Sequence, residues 1–149
     1  MPIIIENLTH TYMPGSVTQF TALYNINLTV EDGEFFGIIG HTGSGKSTLI
    51  QQLNGLIQPT SGRVIVDGFD MNEKKQRAAG RKLVGMVFQY PDYQLFDSTV
   101  YDDICFGLKN LKLPEEEIRT RAYEAMELVG LDTKPVSYTH LRAHETKAN

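Results

Sequence analysis

Cysteine is almost absent from this sequence, since Cys105 is the single one among 149 residues. One thiol excludes a disulfide within the chain and a zinc site built on several cysteines, and a free thiol fits a reducing compartment. Long hydrophobic runs are also missing. The longest apolar stretch, 35–40, is far shorter than the ~20 residues of a transmembrane helix, and the first ten residues do not resemble a secretory signal. We therefore expect contact with a membrane only through partners.

Positive charge is in short supply as well. The chain has 14 Lys and Arg against 18 Asp and Glu, a net charge of −4. Nucleic-acid binding depends on clustered Lys and Arg that neutralise phosphates, so no nucleic-acid partner is expected. The hydrophobic fraction of 41% and the charged fraction of 21% are typical of globular proteins, and the length suits a single ordinary domain.

Apolar periodicity indicates an α/β chain. Alternation or short apolar runs predict strands, whereas spacings of three and four residues predict helices. We expect the strands at 2–9, 25–31, 35–39, 63–66 and 83–88. We expect the helices at 46–57 and 72–80, and a third from 114, with Pro114 at its first position, to a cap at Gly130. Residues 11–19 are expected to form a loop, and the strand at 35–39 to be buried.

A glycine-rich loop lies between the expected strand at 35–39 and the helix that follows. It fits the phosphate-binding pattern G-x-x-x-x-G-K-[ST], and its strand-loop-helix context fits as well. Glycines allow positive φ and bring successive N–H groups towards phosphate oxygens, and the new helix adds the positive end of its dipole. The residues of the loop are Gly40, His41, Thr42, Gly43, Ser44, Gly45, Lys46 and Ser47. This pattern indicates a site for a nucleoside triphosphate.

Three side chains at the end of the loop have distinct expected roles. Lys46 is expected to reach the β- and γ-phosphates, and Ser47 to hold Mg²⁺ through its hydroxyl. Thr48 would place a hydroxyl near the α-phosphate. A nucleoside triphosphate with Mg²⁺ is therefore the expected ligand.

Several segments together resemble the ATPase subunit of an ATP-binding cassette (ABC) transporter, and more narrowly the energy-coupling factor group that takes up cobalt and vitamins. The resemblance covers roughly residues 2–134. The segments that carry it are NLTHTY (7–12), IIGHTGSGKSTL (38–49), LNGLI (53–57), PTSG (59–62), VFQYPDYQLF (87–96), and 99–107 with Asp103-Ile104-Cys105-Phe106-Gly107. It implies an α/β fold of the P-loop NTPase type: an ABC-type ATPase core with an antiparallel β subdomain and the start of an α-helical subdomain, truncated.

The resemblance also implies roles for residues outside the loop. Gln89 aligns with the glutamine that contacts Mg²⁺ and the attacking water. The role suits this side chain, because a neutral amide can donate and accept hydrogen bonds without repelling phosphate. Tyr12 aligns with the aromatic residue that stacks on adenine, although a half-buried tyrosine at a strand end is nearly as good an interpretation. Tyr93, Leu95 and Phe96 are candidates for a groove that accepts a helix of the membrane subunit, or equally for a local hydrophobic cluster.

The family further implies ATP and Mg²⁺ as cofactors, and it also implies partners and a location. The partners are a transmembrane coupling subunit, a second ATPase subunit in a homo- or heterodimer, and a substrate-binding membrane component. The protein would be peripheral, at the cytoplasmic face of the cell membrane, and would power import of a vitamin or metal ion.

Part of the family pattern is not found in the 149 residues. The Ser-Gly-Gly-Gln signature, the apolar strand ending in Asp-Glu and the later histidine are not found. We expect 1–95 to be the β subdomain and phosphate-loop core, 96–135 the start of the helical subdomain, and 136–149 a non-native tail. We expect no metal site at Val64-Ile65-Val66-Asp67, where Gly68 favours a turn, or at His140 and His144, which lack zincin spacing.

Two consequences follow for the chain as it stands. A parallel sheet needs neighbouring strands and helices on both faces. Because the later strands of the family pattern are not found in this sequence, the phosphate-loop strand and helix would leave apolar surface in water. A few hundred Å² of apolar surface left in water costs several kcal/mol at about 25 cal/mol per Å², comparable with a domain's net stability. We therefore expect an unstable or aggregation-prone chain that does not hydrolyse ATP at a useful rate.

Two alternative functions fit the loop. A kinase-like P-loop enzyme would need arginines in a lid over the phosphates; the available arginines, Arg77, Arg81, Arg119 and Arg121, do not lie in a glycine-rich lid. A non-catalytic nucleotide-binding fragment fits the literal chain. A GTPase is not expected, because the Asn-Lys-x-Asp guanine motif is not found.

Overall fold

The computed structural model describes residues 1–131, apart from the side chain of Asp92. The chain divides into two compact units, of which the first is Met1–Val87 and the second begins at Phe88. The predicted tail 136–149, with His140 and His144, lies outside the described residues. Within them, no helix has both the length and the apolar character to cross a bilayer.

The first unit contains a four-stranded antiparallel sheet in the order β2-β1-β3-β4. Its strands are β1 (Ile3–Tyr12), β2 (Phe20–Val30), β3 (Ser61–Val66) and β4 (Phe69–Asp70). The strands predicted at 2–9, 25–31 and 63–66 are confirmed, although β1 extends to Tyr12 and β2 begins five residues before Asn25. The predicted loop is therefore shorter, at 13–19.

The core of this unit lies on one face of the sheet. Ile5, Leu8, Val64, Val66 and Met71 are each at most 2% exposed, and helix α1 packs on the same cluster. Strand β1 reaches this arrangement through a bulge, because its register shifts between Ile5 and Leu8, where Asn7 has φ 48°. The extra residue lets two side chains three positions apart point to the same core.

Two helices complete the described secondary structure of the first unit. Helix α1 (Lys46–Leu53) ends four residues before the predicted limit, and Gly55 with φ 64° follows it. Helix α2 (Lys74–Gly80) begins two residues later than predicted. Both helix predictions are thus confirmed with shorter bounds.

The strands predicted at 35–39 and 83–88 are wrong for this chain. Neither segment is a strand, Phe35 is fully exposed, and Ile39 and Val87 are 96% and 84% exposed. The physical reason is that a strand is defined by its ladder partners. An apolar run remains irregular where no neighbouring strand pairs with it.

The second unit is helical in its described part. A short 3₁₀ helix spans Pro91–Gln94, followed by α3 (Val100–Lys109) and α4 (Glu115–Leu128). Thr99 caps α3 by accepting a hydrogen bond from the Asp102 amide at 3.2 Å. Pro114 is the N-cap residue of α4 rather than its first helical residue, so the helix begins one position later than predicted. Gly130 has the positive φ of a C-terminal cap, 74°.

Helices α3 and α4 pack on each other through a small core of Cys105, Ile118 and Ala122. The Cys105 thiol is buried. Its hydrogen bond with Tyr101, together with burial, raises the pKa of the Tyr101 phenol.

Candidate phosphate-binding loop

The loop is anchored to the sheet at Gly45, the residue just before helix α1. Its φ is 87°, and a Cβ at this position would lie 2.5 Å from the carbonyl oxygen of Ala22 and 3.0 Å from Leu23 Cδ2. Any other residue would therefore be strained and would clash with strand β2. Glycine at this position lets the loop approach the sheet closely and then turn into the helix.

The rest of the loop is equally compact. Gly43 has φ 84°, and a Cβ on Gly40 would lie 2.6 Å from Ser44 Oγ. The Ser44 amide donates to the His41 carbonyl at 3.2 Å. His41 Nδ1 donates to the Thr42 carbonyl at 2.8 Å. The backbone thus closes a tight, solvent-exposed turn of the kind that directs N–H groups into a concave anion site.

The ammonium group of Lys46 lies within this turn. Its Nζ donates to the Gly40 and His41 carbonyls at 2.8 Å each and approaches Ser44 Oγ at 3.3 Å. A full positive charge is therefore fixed at the N-terminus of α1, where the first amides of a helix lack intrahelical partners and the dipole favours anions. Ser47, one residue further, is exposed.

Tyr12 reaches the same place from the end of strand β1. Its hydroxyl lies 3.1 Å from Thr48 Oγ1, while its side chain is 38% exposed and Thr48 is only 8% exposed. The first unit thus brings Tyr12 together with the loop and Thr48, as a nucleotide site requires. Gln89 belongs to the second unit, so it is not among the residues that the first unit assembles. There it is exposed, and its Nε2 donates to the Tyr90 hydroxyl at 3.5 Å.

Outside the loop, two arginines and Asp67 occupy structural positions. The arginines do not have the role that the kinase-like alternative would give them. Arg81 Nε donates to the Asn54 carbonyl at 3.1 Å, and its guanidinium also bonds the Gly55 carbonyl, so it caps the end of α1. Arg77 approaches the Met71 carbonyl at 3.5 Å. Asp67 has φ 49° and, with Gly68, forms the predicted turn between β3 and β4.

The candidate docking groove in the second unit is exposed. Tyr93, Leu95 and Phe96 are all surface residues. The Tyr93 ring lies 6.1 Å from that of Tyr90, and the Phe96 ring lies 4.7 Å from that of Phe106. Both cluster and groove interpretations predict aromatic contacts, so the groove stays a prediction.

Sequence reasoning missed His10. It is 9% exposed, and its ring lies perpendicular to that of Tyr12 with centroids 4.6 Å apart. The signal that could have found it is its position two residues before Tyr12, since residues i and i+2 of a strand share a face.

Comparison with known proteins agrees with this geometry. The sequence model of the ABC transporter family matches residues 23–146. The energy-coupling factor transporter ATP-binding protein EcfA2 of Clostridium acetobutylicum is 58% identical over 133 residues, which are 89% of this chain and 46% of that protein. The protein of the same name from Clostridium perfringens is 57% identical, over 89% of this chain and 47% of its own length. The chain spans about half the length of these relatives.

Two solved structures have a similar fold. One is described as cbiO1 from Clostridium perfringens, part of the ABC transporter complex cbiONQ. It superposes with a TM-score of 0.72 at 40% identity, and the match covers 89% of this chain and 52% of the cbiO1 chain. The other is a dimeric post-hydrolysis state of the ATP-binding cassette MJ0796 with ADP and Pi. It has a TM-score of 0.74 at 31% identity, over 91% of this chain and 60% of that one.

These matches confirm the predicted fold class, an α/β P-loop core of the ABC type with its antiparallel sheet and the beginning of a helical part. Nucleotide binding is the property common to that family. Because the family match covers most of the sequence and the curated relatives are more than half identical to it, the chain belongs to the ABC transporter family.

Proposed function

We propose that this chain is the nucleotide-binding half of the ATP-hydrolysing subunit of an energy-coupling factor uptake transporter, and that it binds ATP with Mg²⁺. The observation that carries the proposal is the loop itself. Gly43 and Gly45 have positive φ, and the Lys46 ammonium lies inside the turn that they form. A tight concave backbone with a fixed charge at a helix N-terminus suits a polyphosphate and little else.

The phosphate end would be held by the residues from Gly40 to Thr48. The Lys46 ammonium now shares its protons among acceptors of the loop, and phosphate oxygens would take over these contacts. Bound ATP supplies the phosphoanhydride bond. Ser47 would hold Mg²⁺ through its exposed hydroxyl, and Thr48 would lie near the α-phosphate.

Gln89 would complete the metal site and orient water. Its amide can accept from a water proton and donate to a phosphate oxygen.

The base end would be formed by Tyr12. Its ring is partly exposed beside the loop, and a flat π-face is what stacking on adenine needs. The aromatic residue and the phosphate loop then hold opposite ends of one nucleotide.

The longer protein would act with partners. We infer a second ATPase subunit, a transmembrane coupling subunit and a substrate-binding membrane component, with the ATPase at the cytoplasmic face of the cell membrane. Support comes from relatives: cbiO1 is described as part of the complex cbiONQ, and MJ0796 as a dimer. ATP binding and hydrolysis would power import of a vitamin or a metal ion.

The 149-residue chain itself is proposed to retain nucleotide without turning it over. It contains no Ser-Gly-Gly-Gln signature and no Asp-Glu strand to supply a general base. The kinase-like alternative loses support because Arg77 and Arg81 bond backbone carbonyls of the first unit.

Isothermal titration of the chain with MgATP tests the proposal. Lys46→Ala should weaken binding about 10- to 100-fold, the effect of losing charge-assisted hydrogen bonds to phosphate. The matched control is Lys75→Ala on the exposed surface of α2, which should bind like the wild type. Equal affinity of all three proteins, or no binding by the wild type, would overturn the proposal. Steady ATP turnover that is lost in Lys46→Ala would refute the non-catalytic part alone.

A further inference from the structure

A chain of contacts connects the interior of the first unit with the phosphate loop. The imidazole of His10 lies perpendicular to the Tyr12 ring at 4.6 Å, and the Tyr12 hydroxyl lies 3.1 Å from Thr48 Oγ1. The Tyr12 ring is therefore fixed at two points, by a perpendicular ring along its own strand and by a hydroxyl of helix α1. Edge-to-face packing of this kind has a preferred geometry, unlike an ordinary apolar contact.

His10 is itself held in place. Its Nδ1 lies 2.9 Å from the Gln58 carbonyl, and since a carbonyl only accepts, Nδ1 carries the proton and donates. The same stretch is bonded to β1 on both sides of His10, through Thr60 N to the Thr9 carbonyl at 2.8 Å and Thr11 N to Thr60 Oγ1 at 2.9 Å. The histidine ring thus rests on a stiff double contact between β1 and the segment after α1.

His10 has one feature that an ordinary core residue would not require. The side chain is 9% exposed, yet Nε2 has no hydrogen-bond partner among the described residues. A buried polar atom without a partner costs free energy, and a Phe or Leu would fill the space without that cost. The Nδ1 donor is explained by its bond to the Gln58 carbonyl, and the ring by the perpendicular contact that it makes with Tyr12.

We propose that His10 is a positioning residue for nucleotide binding: it sets the Tyr12 ring in the orientation that receives the base. The inference rests on the proposed function, because it assigns His10 a part in the same site. It concerns the base end alone, so His10 should affect a ligand that carries adenine and leave a base-free polyphosphate unaffected.

Two substitutions separate the ring of His10 from its hydrogen bond. His10→Asn keeps a donor in nearly the position of Nδ1 but removes the ring. His10→Phe keeps a perpendicular ring but removes the donor. If the ring positions Tyr12, Asn should lower the affinity for MgATP about 3- to 10-fold, the usual effect of an aromatic pair, and Phe should keep it within about twofold.

The experiment is a titration of the 149-residue chain with MgATP and with magnesium tripolyphosphate. Both variants should bind tripolyphosphate like the wild type, which also shows that they are folded. In a Tyr12→Ala background, His10→Asn should have no further effect on MgATP, because a residue that acts through Tyr12 has nothing left to position.

Each other outcome is decisive. If Phe weakens MgATP binding more than Asn, the Gln58 hydrogen bond matters and the ring does not, so the proposal falls. Equal losses for MgATP and tripolyphosphate would make His10 purely structural. An unchanged affinity of His10→Asn for MgATP overturns the positioning role and leaves the proposed function standing. A wild type that binds neither ligand instead removes the proposed function.

Discussion

Strand β1 and residues 35–39 contain comparable apolar runs but adopt different structures. Strand β1, with Ile3-Ile4-Ile5 near its start, is hydrogen-bonded to β2 on one side and to β3 on the other. Residues 35–39 are irregular, and their largest side chains lie in water. The difference is therefore one of neighbours, because a strand needs ladder partners on its edges and a packed face.

The same contrast appears beside helix α1. An apolar cavity of about 290 Å³ is lined there by Met1, Ile3, Ile50, Leu53 and residues 84–87. One side of the first unit is thus a packed sheet, and another presents open apolar surface. The chain spans about half the length of its relatives.

The largest expected effect contrasts the packed core with the exposed segment. Leu8→Ala should destabilise the first unit by about 2–5 kcal/mol, because Leu8 is fully buried and the truncation leaves a cavity. Ile39→Ala should change stability by no more than about 0.5 kcal/mol. Urea unfolding followed by circular dichroism measures both. Similar losses would show that residues 35–39 are packed like a strand.

A second effect concerns association of the chain. Replacing Phe35 and Ile39 together by serine should reduce self-association, since both are large apolar side chains that lie almost fully in water. Val17→Ser is the control, because Val17 is a fully exposed apolar residue in the loop 13–19. Light scattering against protein concentration distinguishes them. An equal reduction of self-association by Val17→Ser would show that residues 35–39 are not the surface through which the chains associate.

The smallest effect is electrostatic. It concerns an ion pair between the N-terminus, which precedes strand β1, and Asp32, which precedes residues 35–39. The N-terminal ammonium of Met1 bonds Asp32 and holds the pKa of that carboxyl below its usual value. Such a pair stabilises the folded state above the unfolded pKa of about 3.9 and loses that contribution as pH falls through the lower folded value. Asp32→Asn should therefore differ slightly from the wild type at neutral pH and match it in strong acid. High salt should also remove the difference, because the pair is exposed. A difference that persists in acid would mean that Asp32 acts otherwise.

The parts of the molecule that could be predicted from sequence depend on nearby residues. The loop 40–48 follows from its own glycines and lysine, and β1 and β3 follow from local alternation. Residues 35–39 and 83–88 could not be predicted, because whether an apolar run pairs depends on strands elsewhere. The contact between Tyr12 and Thr48 joins residues 36 positions apart, so no local pattern indicated it. His10 lies only two residues before Tyr12, but that spacing points to a role only once the Tyr12 contact is known.

The central claim is that the loop from Gly40 to Thr48 receives a triphosphate, and hydrogen exchange of the chain with and without MgATP tests it most directly. The account predicts slower exchange of the amides at 41–48 in the wild type and much less slowing in Lys46→Ala, while the amides at 84–87 exchange equally fast in both conditions. Unchanged exchange at 41–48 under saturating MgATP, or slowing that is confined to other segments, would contradict it.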